Sequence, residues 1–288
     1  MNKDFGAKAI VTKGLVNRIL PFSSVDGPGN RTAIFLQGCN FNCLYCHNPE
    51  TINICNNCGT CVKACPYNVI SKGETSICWN KSLCKHCDEC LKSCGRNSSP
   101  KAVYMTVEEV LKEINKTRVF ISGITVSGGE CTLQTEFLTE LFREVKKIGL
   151  STFVDTNGSI PLYEMPELVE VMDMAMVDVK AYDNEEHLKL TGMDNSIVLE
   201  NVRFLGEINK LYEVRTVVVP ELLNNHYTVD MISKLLASIS PDIRYKLIRY
   251  RPIGVRNGLV DSYTPSDEEM EALAEVAKNN GCRNIVLV

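Results

Sequence analysis

Cysteine dominates the chemistry available to this sequence. Fourteen cysteines occur in 288 residues, and nine of them fall between Cys55 and Cys94. So dense a group points to metal ligation rather than disulfides, provided the chain stays in a reducing compartment. Cys39, Cys43 and Cys46 are spaced C-x3-C-x2-C within Gly38-Cys39-Asn40-Phe41-Asn42-Cys43-Leu44-Tyr45-Cys46. Three thiolates with no fourth nearby can hold a 4Fe-4S cluster and leave one iron without a protein ligand. An open coordination position separates a catalytic metal centre from a closed one.

Two further runs share one spacing. Cys55, Cys58, Cys61 and Cys65 follow C-x2-C-x2-C-x3-C with Pro66 next, and Cys84, Cys87, Cys90 and Cys94 repeat it with Gly95 in the proline position. This is the pattern of two-cluster bacterial ferredoxins, in which the fourth cysteine of each run crosses to the other cluster. On that rule Cys55, Cys58, Cys61 and Cys94 hold one 4Fe-4S cluster, and Cys84, Cys87, Cys90 and Cys65 the other, which makes three clusters in the chain. The alternative is a zinc module, whose ligands usually come as two separated C-x2-C pairs. Cys78, Cys131 and Cys282 lack ligand spacing and read as small buried hydrophobes. His47 and His86 read as neighbours of the ligands, and Trp79 as packing.

Such a centre needs a scaffold, and the sequence outside residues 51–100 supplies one. Thr32–Leu36, Ile124–Ser127, Ser151–Asp155, Ala175–Val179, Val214–Val219 and Tyr245–Ile248 each read as a buried parallel strand. Helical stretches separate most of them. Thr106 with Glu109 and Ser266 with Glu269 form capping boxes, while Phe137, Leu138, Leu141, Phe142 and Val145 recur at helical spacing. Six strand-helix units predict an α/β protein with a partial (β/α)6, TIM-like barrel; a doubly wound open sheet is the alternative, because periodicity does not decide closure. The barrel is discontinuous, residues 1–50 and 101–288, with a ferredoxin-like insert over residues 51–100. In either architecture ligands sit at the C-terminal ends of the strands.

The C-x3-C-x2-C run after the first barrel strand resembles that of radical S-adenosylmethionine enzymes. Asp26-Gly27-Pro28-Gly29-Asn30-Arg31, followed by Phe35, Gly38 and the three cysteines, and then His47-Asn48-Pro49-Glu50, resembles the signature of glycyl-radical-enzyme activating enzymes, the pyruvate formate-lyase activating type. The ferredoxin pattern just afterwards is similar to activases with two auxiliary clusters, and the compact chain most resembles the YjjW-like branch.

This resemblance implies S-adenosylmethionine chelated at the open iron of the Cys39, Cys43 and Cys46 cluster. It implies ligand contacts from Tyr45, from Ser127-Gly128-Gly129-Glu130, and from Asp155, Asn157, Asp178, Lys180, Arg215 and Arg251. Arg251 falls where relatives commonly carry a histidine. A monovalent-cation site at Asp155, Thr156, Met176 and Asp178 is implied as well. The implied partners are a glycyl radical enzyme, as protein substrate, and a flavodoxin or ferredoxin as electron donor; the insert either relays electrons or docks the partner.

Composition narrows the alternatives. With 31 Lys and Arg against 35 Asp and Glu, the chain is nearly neutral and lacks an extended block of like charge, so nucleic acid and anionic membrane are not expected partners. No stretch approaches the ~18 apolar residues of a membrane span. Lys3, Asp4, Lys8, Lys13 and Arg18 interrupt the N-terminal apolar positions, unlike a secretory leader, so a cytoplasmic protein is expected. Two other functions remain open on sequence: a radical S-adenosylmethionine enzyme acting on a small molecule, and a non-catalytic iron-sulfur electron-transfer or redox-sensing protein. Little chain follows the sixth strand to close a small-substrate chamber, and the open-site cysteine group argues for catalysis.

Overall fold

A strand covered on both faces is mostly apolar, and any polar group in it needs a partner: all six residues of Arg31–Leu36 are buried, Ala33 to Leu36 are apolar, and the Arg31 guanidinium donates to Thr125 Oγ1 (2.8 Å) and the Ile124 carbonyl (2.5 Å). The computed structural model describes residues 11–288, so Lys3, Asp4 and Lys8, used above against a secretory leader, lie outside the described residues. The chain begins with β1 (Lys13–Ser23) and β2 (Arg31–Leu36). Between residues 51 and 100 come α1 (Thr60–Ala64), the hairpin of β3 (Ile70–Lys72) and β4 (Ile77–Trp79), and α2 (Glu89–Lys92). Then β5 (Val103–Thr106) leads into α3 (Val107–Asn115), which opens on the expected Thr106–Glu109 capping box.

From there strands and helices alternate. They are β6 (Gly123–Gly128), α4 (Thr135–Lys147), β7 (Ser151–Thr156), α5 (Pro166–Val171), β8 (Met174–Asp178), α6 (Asn184–Thr191), α7 (Ser196–Glu207) and β9 (Leu211–Val218). The chain ends with α8 (Asn225–Ile239), β10 (Arg244–Arg249), α9 (Asp267–Asn279), opened by the Ser266–Glu269 capping box, and β11 (Ile285–Leu287).

One nine-stranded sheet results, in the order β11-β10-β9-β8-β7-β6-β2-β1-β5. The six strands read from the sequence lie side by side and parallel as β2 and β6 to β10. β11 extends the parallel set at one edge, whereas β1, unforeseen, runs antiparallel to both β2 and β5 at the other. β5 and β11 are edge strands, so the sheet stays open. The helices bury their apolar stripes: Phe137, Leu138, Leu141, Phe142 and Val145 of α4 are all buried, each contributing roughly 1.5–3 kcal/mol.

Residues 51–100 carry their own small core. Cys61, Cys65, Val69, Ile70 and Cys90 are buried together, with Trp79 and Leu91 packed against them. The segment leaves and rejoins the sheet at one place. Asn53 N–H donates to the Asn97 carbonyl (3.1 Å), and its side-chain amide donates to the Arg96 carbonyl (2.8 Å). Among the described residues, no helix is long and apolar enough to cross a membrane.

Candidate active site

A cavity of about 450 Å³ opens at the C-terminal ends of β2 and β6 to β9, where the fold class places ligands. Cys39, Cys43 and Cys46 line one side of it; Ser127, Asp155, Asp178, Lys180 and Arg215 line the other. Among the described residues no fourth cysteine lines it. Three thiols facing one cavity match a cluster that leaves one iron for an outside ligand.

The loop that carries these cysteines follows β2 and is held by its backbone. Gly38 and Cys39 amides donate to the carbonyls of Thr51 (2.8 Å) and Ile52 (2.8 Å). Asn42 and Leu44 amides donate to the carbonyls of Thr191 (2.8 Å) and Leu190 (3.0 Å) at the end of α6. The Asn157 side-chain amide, from the end of β7, donates to Asn40 Oδ1 (3.1 Å). Burial pushes the Cys39 thiol up to about 12 and Cys43 to about 11, and it raises Cys46 as well. Metal loading at these thiols therefore releases protons, since the ligand form is the thiolate.

Gly128 and Gly129 are fixed by this loop. A Cβ on Gly128, whose φ is +130°, would lie 2.2 Å from the Leu36 carbonyl oxygen, and one on Gly129 would lie 2.1 Å from that of Gly38. The absence of side chains lets the end of β6 close against the root of the cysteine loop, where Gly129 N–H donates to Leu36 (3.0 Å) and Glu130 N–H to Gly38 (2.7 Å). Glu130 is fully buried and its side chain does not line the cavity. One carboxylate oxygen accepts from Thr132 N–H (3.0 Å), Thr132 Oγ1 (2.7 Å) and Thr156 Oγ1 (2.8 Å); the other accepts from Asn157 N–H (2.7 Å). Burial raises its pKa against those four donors. Glu130 thus ties the ends of β6 and β7 together rather than reaching a ligand.

The opposite wall is a chain of alternating charge. Ser127 Oγ donates to Asp155 Oδ2 (2.8 Å), Arg215 pairs with Asp155, and Arg215 Nε stands 3.1 Å from Asp178 Oδ1 without hydrogen-bond alignment. Lys180 Nζ closes the series on Asp178 Oδ2 (2.6 Å). Burial draws Arg215 down to about 10, which leaves it charged at neutral pH. For Lys180 burial is the largest influence and works against the charge, but Asp178, Tyr45 and Cys43 together outweigh it and the net direction is upward. Tyr45 is buried at the cavity wall with its hydroxyl lacking a partner among the described residues, and Lys180 lies 5.9 Å over its ring. An unpaired buried hydroxyl is costly, and a ligand in the cavity would relieve it.

Besides Glu130, two residues assigned from the resemblance fall elsewhere. Arg251 is exposed and absent from the cavity; its carbonyl faces His47 Nε2 at 3.1 Å, and the inward position next to it belongs to buried Tyr250. The Met176 side chain is fully buried and does not line the cavity, unlike Thr156 and the two aspartates. A residue that sequence reasoning missed is Arg256, which donates to the Cys43 carbonyl from 213 positions away. Its loop has no periodicity to betray that contact.

Residues 51–100 repeat in conformation as well as in cysteine spacing. Asn57, Gly59 and Asn68 have left-handed φ of 58°, 87° and 53°, and the residues 29 positions on, His86, Asp88 and Asn97, have 53°, 60° and 50°. In each run a backbone amide donates to the first cysteine's sulfur, Asn57 to Cys55 (3.4 Å) and His86 to Cys84 (3.5 Å). Cys55, Cys58, Cys61 and Cys94 line one small cavity.

Comparison with known proteins agrees with this chemistry. Residues 33–232 match the radical SAM superfamily model. The trans-4-hydroxy-L-proline dehydratase activating enzyme of Clostridioides difficile is 35% identical over 70% of this chain and 72% of its own. The chain belongs to the radical SAM superfamily, among its activating enzymes. Pyruvate formate-lyase 1-activating enzyme of Escherichia coli is 30% identical over 83% of both chains. QueE from Escherichia coli shares the fold alone, with a TM-score of 0.54 at 14% identity, covering 96% of this chain and 94% of its own. Membership of the radical SAM superfamily implies a 4Fe-4S cluster and S-adenosylmethionine, and the three-thiol cavity fits both.

Proposed function

We propose that this radical SAM protein activates a glycyl radical enzyme, and that Cys39, Cys43 and Cys46 hold its open-site cluster. The observation that carries the reading is the convergence of three cysteines, without a fourth, on a cavity whose far wall bears Asp155, Asp178, Lys180 and Arg215. When bound, the cluster and S-adenosylmethionine supply a 5′-deoxyadenosyl radical through one-electron cleavage of the sulfonium, and that radical takes hydrogen from a glycine α-carbon of the partner protein.

The chain's own residues bind and orient. Ser127, Gly128 and Gly129 offer backbone at the end of β6 to the ligand's ammonium, while Asn157 steadies the cysteine loop through Asn40. Lys180 and Arg215 would hold the ligand's carboxylate, with Asp155 and Asp178 balancing their charge. The tyrosine hydroxyl of Tyr45 has a free donor to offer. A monovalent cation at Asp155, Thr156 and Asp178 has to compete with Arg215, which already engages both carboxylates. Burial of this wall strengthens its electrostatics and excludes stray hydrogen donors.

The six parallel units act as a partial barrel, and residues 51–100 as a ferredoxin-like insert with two 4Fe-4S clusters. The repeated left-handed positions support two equivalent cluster loops, since they turn backbone amides toward cysteine sulfur. The insert passes electrons from a flavodoxin or ferredoxin in the cytoplasm, and brings the total to three clusters.

The test is anaerobic. Reconstituted, dithionite-reduced protein is expected to release 5′-deoxyadenosine from S-adenosylmethionine, and to give a glycyl electron paramagnetic resonance signal when mixed with a glycyl radical enzyme from the same genome. Ala at Cys39, Cys43 or Cys46 abolishes both. Reduced protein that leaves S-adenosylmethionine intact rules the proposal out in favour of electron transfer alone.

A further inference from the structure

The segment between β10 and α9, residues 250–266, straps the outer side of the cysteine loop. Val255 and Val260 pack against the group of Tyr45, Leu190, Val217 and Tyr250, and Ser262 Oγ donates to the Pro220 carbonyl (2.6 Å). Arg256 is its polar anchor. Arg256 Nη1 donates to Asn42 Oδ1 (2.7 Å), and Nη2 donates to the carbonyls of Asn42 (3.0 Å) and Cys43 (2.7 Å). The amides of Asn42 and Leu44 are meanwhile taken by α6. The middle of the loop is therefore gripped from two sides: α6 accepts from its amides, and one guanidinium donates to its carbonyls.

We propose that Arg256 is a positioning residue, fixing the Cys39–Cys46 loop and using its charge to favour the reduced form of the cluster held there. The inference rests on the reading of those three cysteines as ligands of an open-site cluster. A planar fork can serve two adjacent carbonyls and a side-chain amide oxygen at once, which a lysine ammonium on a flexible stem does less well. A fixed positive charge beside a cluster attracts the reduced form, which carries one more negative charge, more strongly than the oxidised form, so it raises the potential. Hydrogen bonds to ligand-bearing backbone limit the loop's opening and slow loss of iron.

The experiment titrates the S-adenosylmethionine-sensitive paramagnetic signal of the whole protein and follows iron loss to a chelator. Arg256→Gln is expected to lower the reduced-to-oxidised ratio at fixed potential about tenfold, ~59 mV for one electron, and to speed iron loss. Arg256→Lys keeps the charge, so it restores most of the potential while iron loss stays fast. Asn42→Ala removes one acceptor, so it speeds iron loss and leaves the potential in place; it carries the test together with Arg256→Lys if Arg256→Gln does not fold. Folded Arg256 variants with the parent's potential and chelation rate overturn the proposal alone. A parent protein with no S-adenosylmethionine-sensitive signal overturns it together with the reading of the site.

Discussion

Glu130 shows how a residue can belong to a binding motif and still serve the scaffold. Its carboxylate accepts four hydrogen bonds inside the protein, two of them from the end of β7. Glu130→Gln turns one acceptor into a donor facing donors, and is expected to lower stability by about 1–3 kcal/mol in urea titrations. An unchanged midpoint would show that the four bonds contribute nothing net. Gly129→Ala is a harsher change, because its Cβ meets backbone on both sides, at Gly38 and Thr51. It should displace the cysteine loop, so that the purified protein takes up less iron at the open-site cluster than the parent. The sequence identified Gly128, Gly129 and Glu130 by type and order. It could not separate the glycines, which line the cavity, from the glutamate, which turns away, because that division depends on the meeting of β6 with β7. Arg256 was illegible for a related reason: its partners are remote in the chain and are mostly main-chain carbonyls, which every residue possesses.

Asp173 does for the elements what Glu130 does for the site. Standing between α5 and β8, it accepts from Thr152 N–H (2.8 Å) at the start of β7 and from Lys146 Nζ (2.6 Å) at the end of α4. Burial works against its charge, yet Lys146 and Thr152 outweigh burial and hold its pKa below the usual carboxylate range. A carboxylate whose folded value is depressed stabilises above its unfolded pKa of about 3.9, and that contribution is lost as pH falls through the folded value. Asp173→Asn should therefore cost about 1 kcal/mol at neutral pH, and the gap from the parent should shrink as urea titrations are taken to lower pH. A gap that does not depend on pH would remove charge from the explanation. The parallel strands were legible because burial on both faces favours apolar runs, such as Ala33 to Leu36 in β2 and Ala175 to Val177 in β8. β1 was not: Asn17, Arg18 and Pro21 interrupt it, and it gains its place by pairing with β2 on one side and β5 on the other. β5 is short, with two residues exposed and two half-buried, and its last residue is the cap of α3, so it reads as a helix approach.

At the scale of the molecule, the described residues form an open, mostly parallel sheet with one segment set apart. The cysteine spacing disclosed that segment's repeat, and the left-handed residues 29 positions apart carry the repeat into the backbone. Nothing in the spacing indicated where its ends would lie. They meet at Asn53, through Arg96 and Asn97, next to Gln37, whose side-chain amide donates to the Asn53 carbonyl (2.7 Å). Replacing residues 54–96 with a short Gly-Ser linker is expected to leave a folded protein whose S-adenosylmethionine-sensitive signal survives dithionite reduction, with less iron per chain than the parent if the segment holds the two clusters proposed for it. Loss of that signal in a folded deletion variant would mean that the segment supports the cysteine loop directly. The joint at Asn53 also has a historical consequence. A segment whose two ends share one doorway is a cassette: lineages can gain it, discard it or exchange it for another at a single splice, and every strand behind the doorway keeps its neighbours.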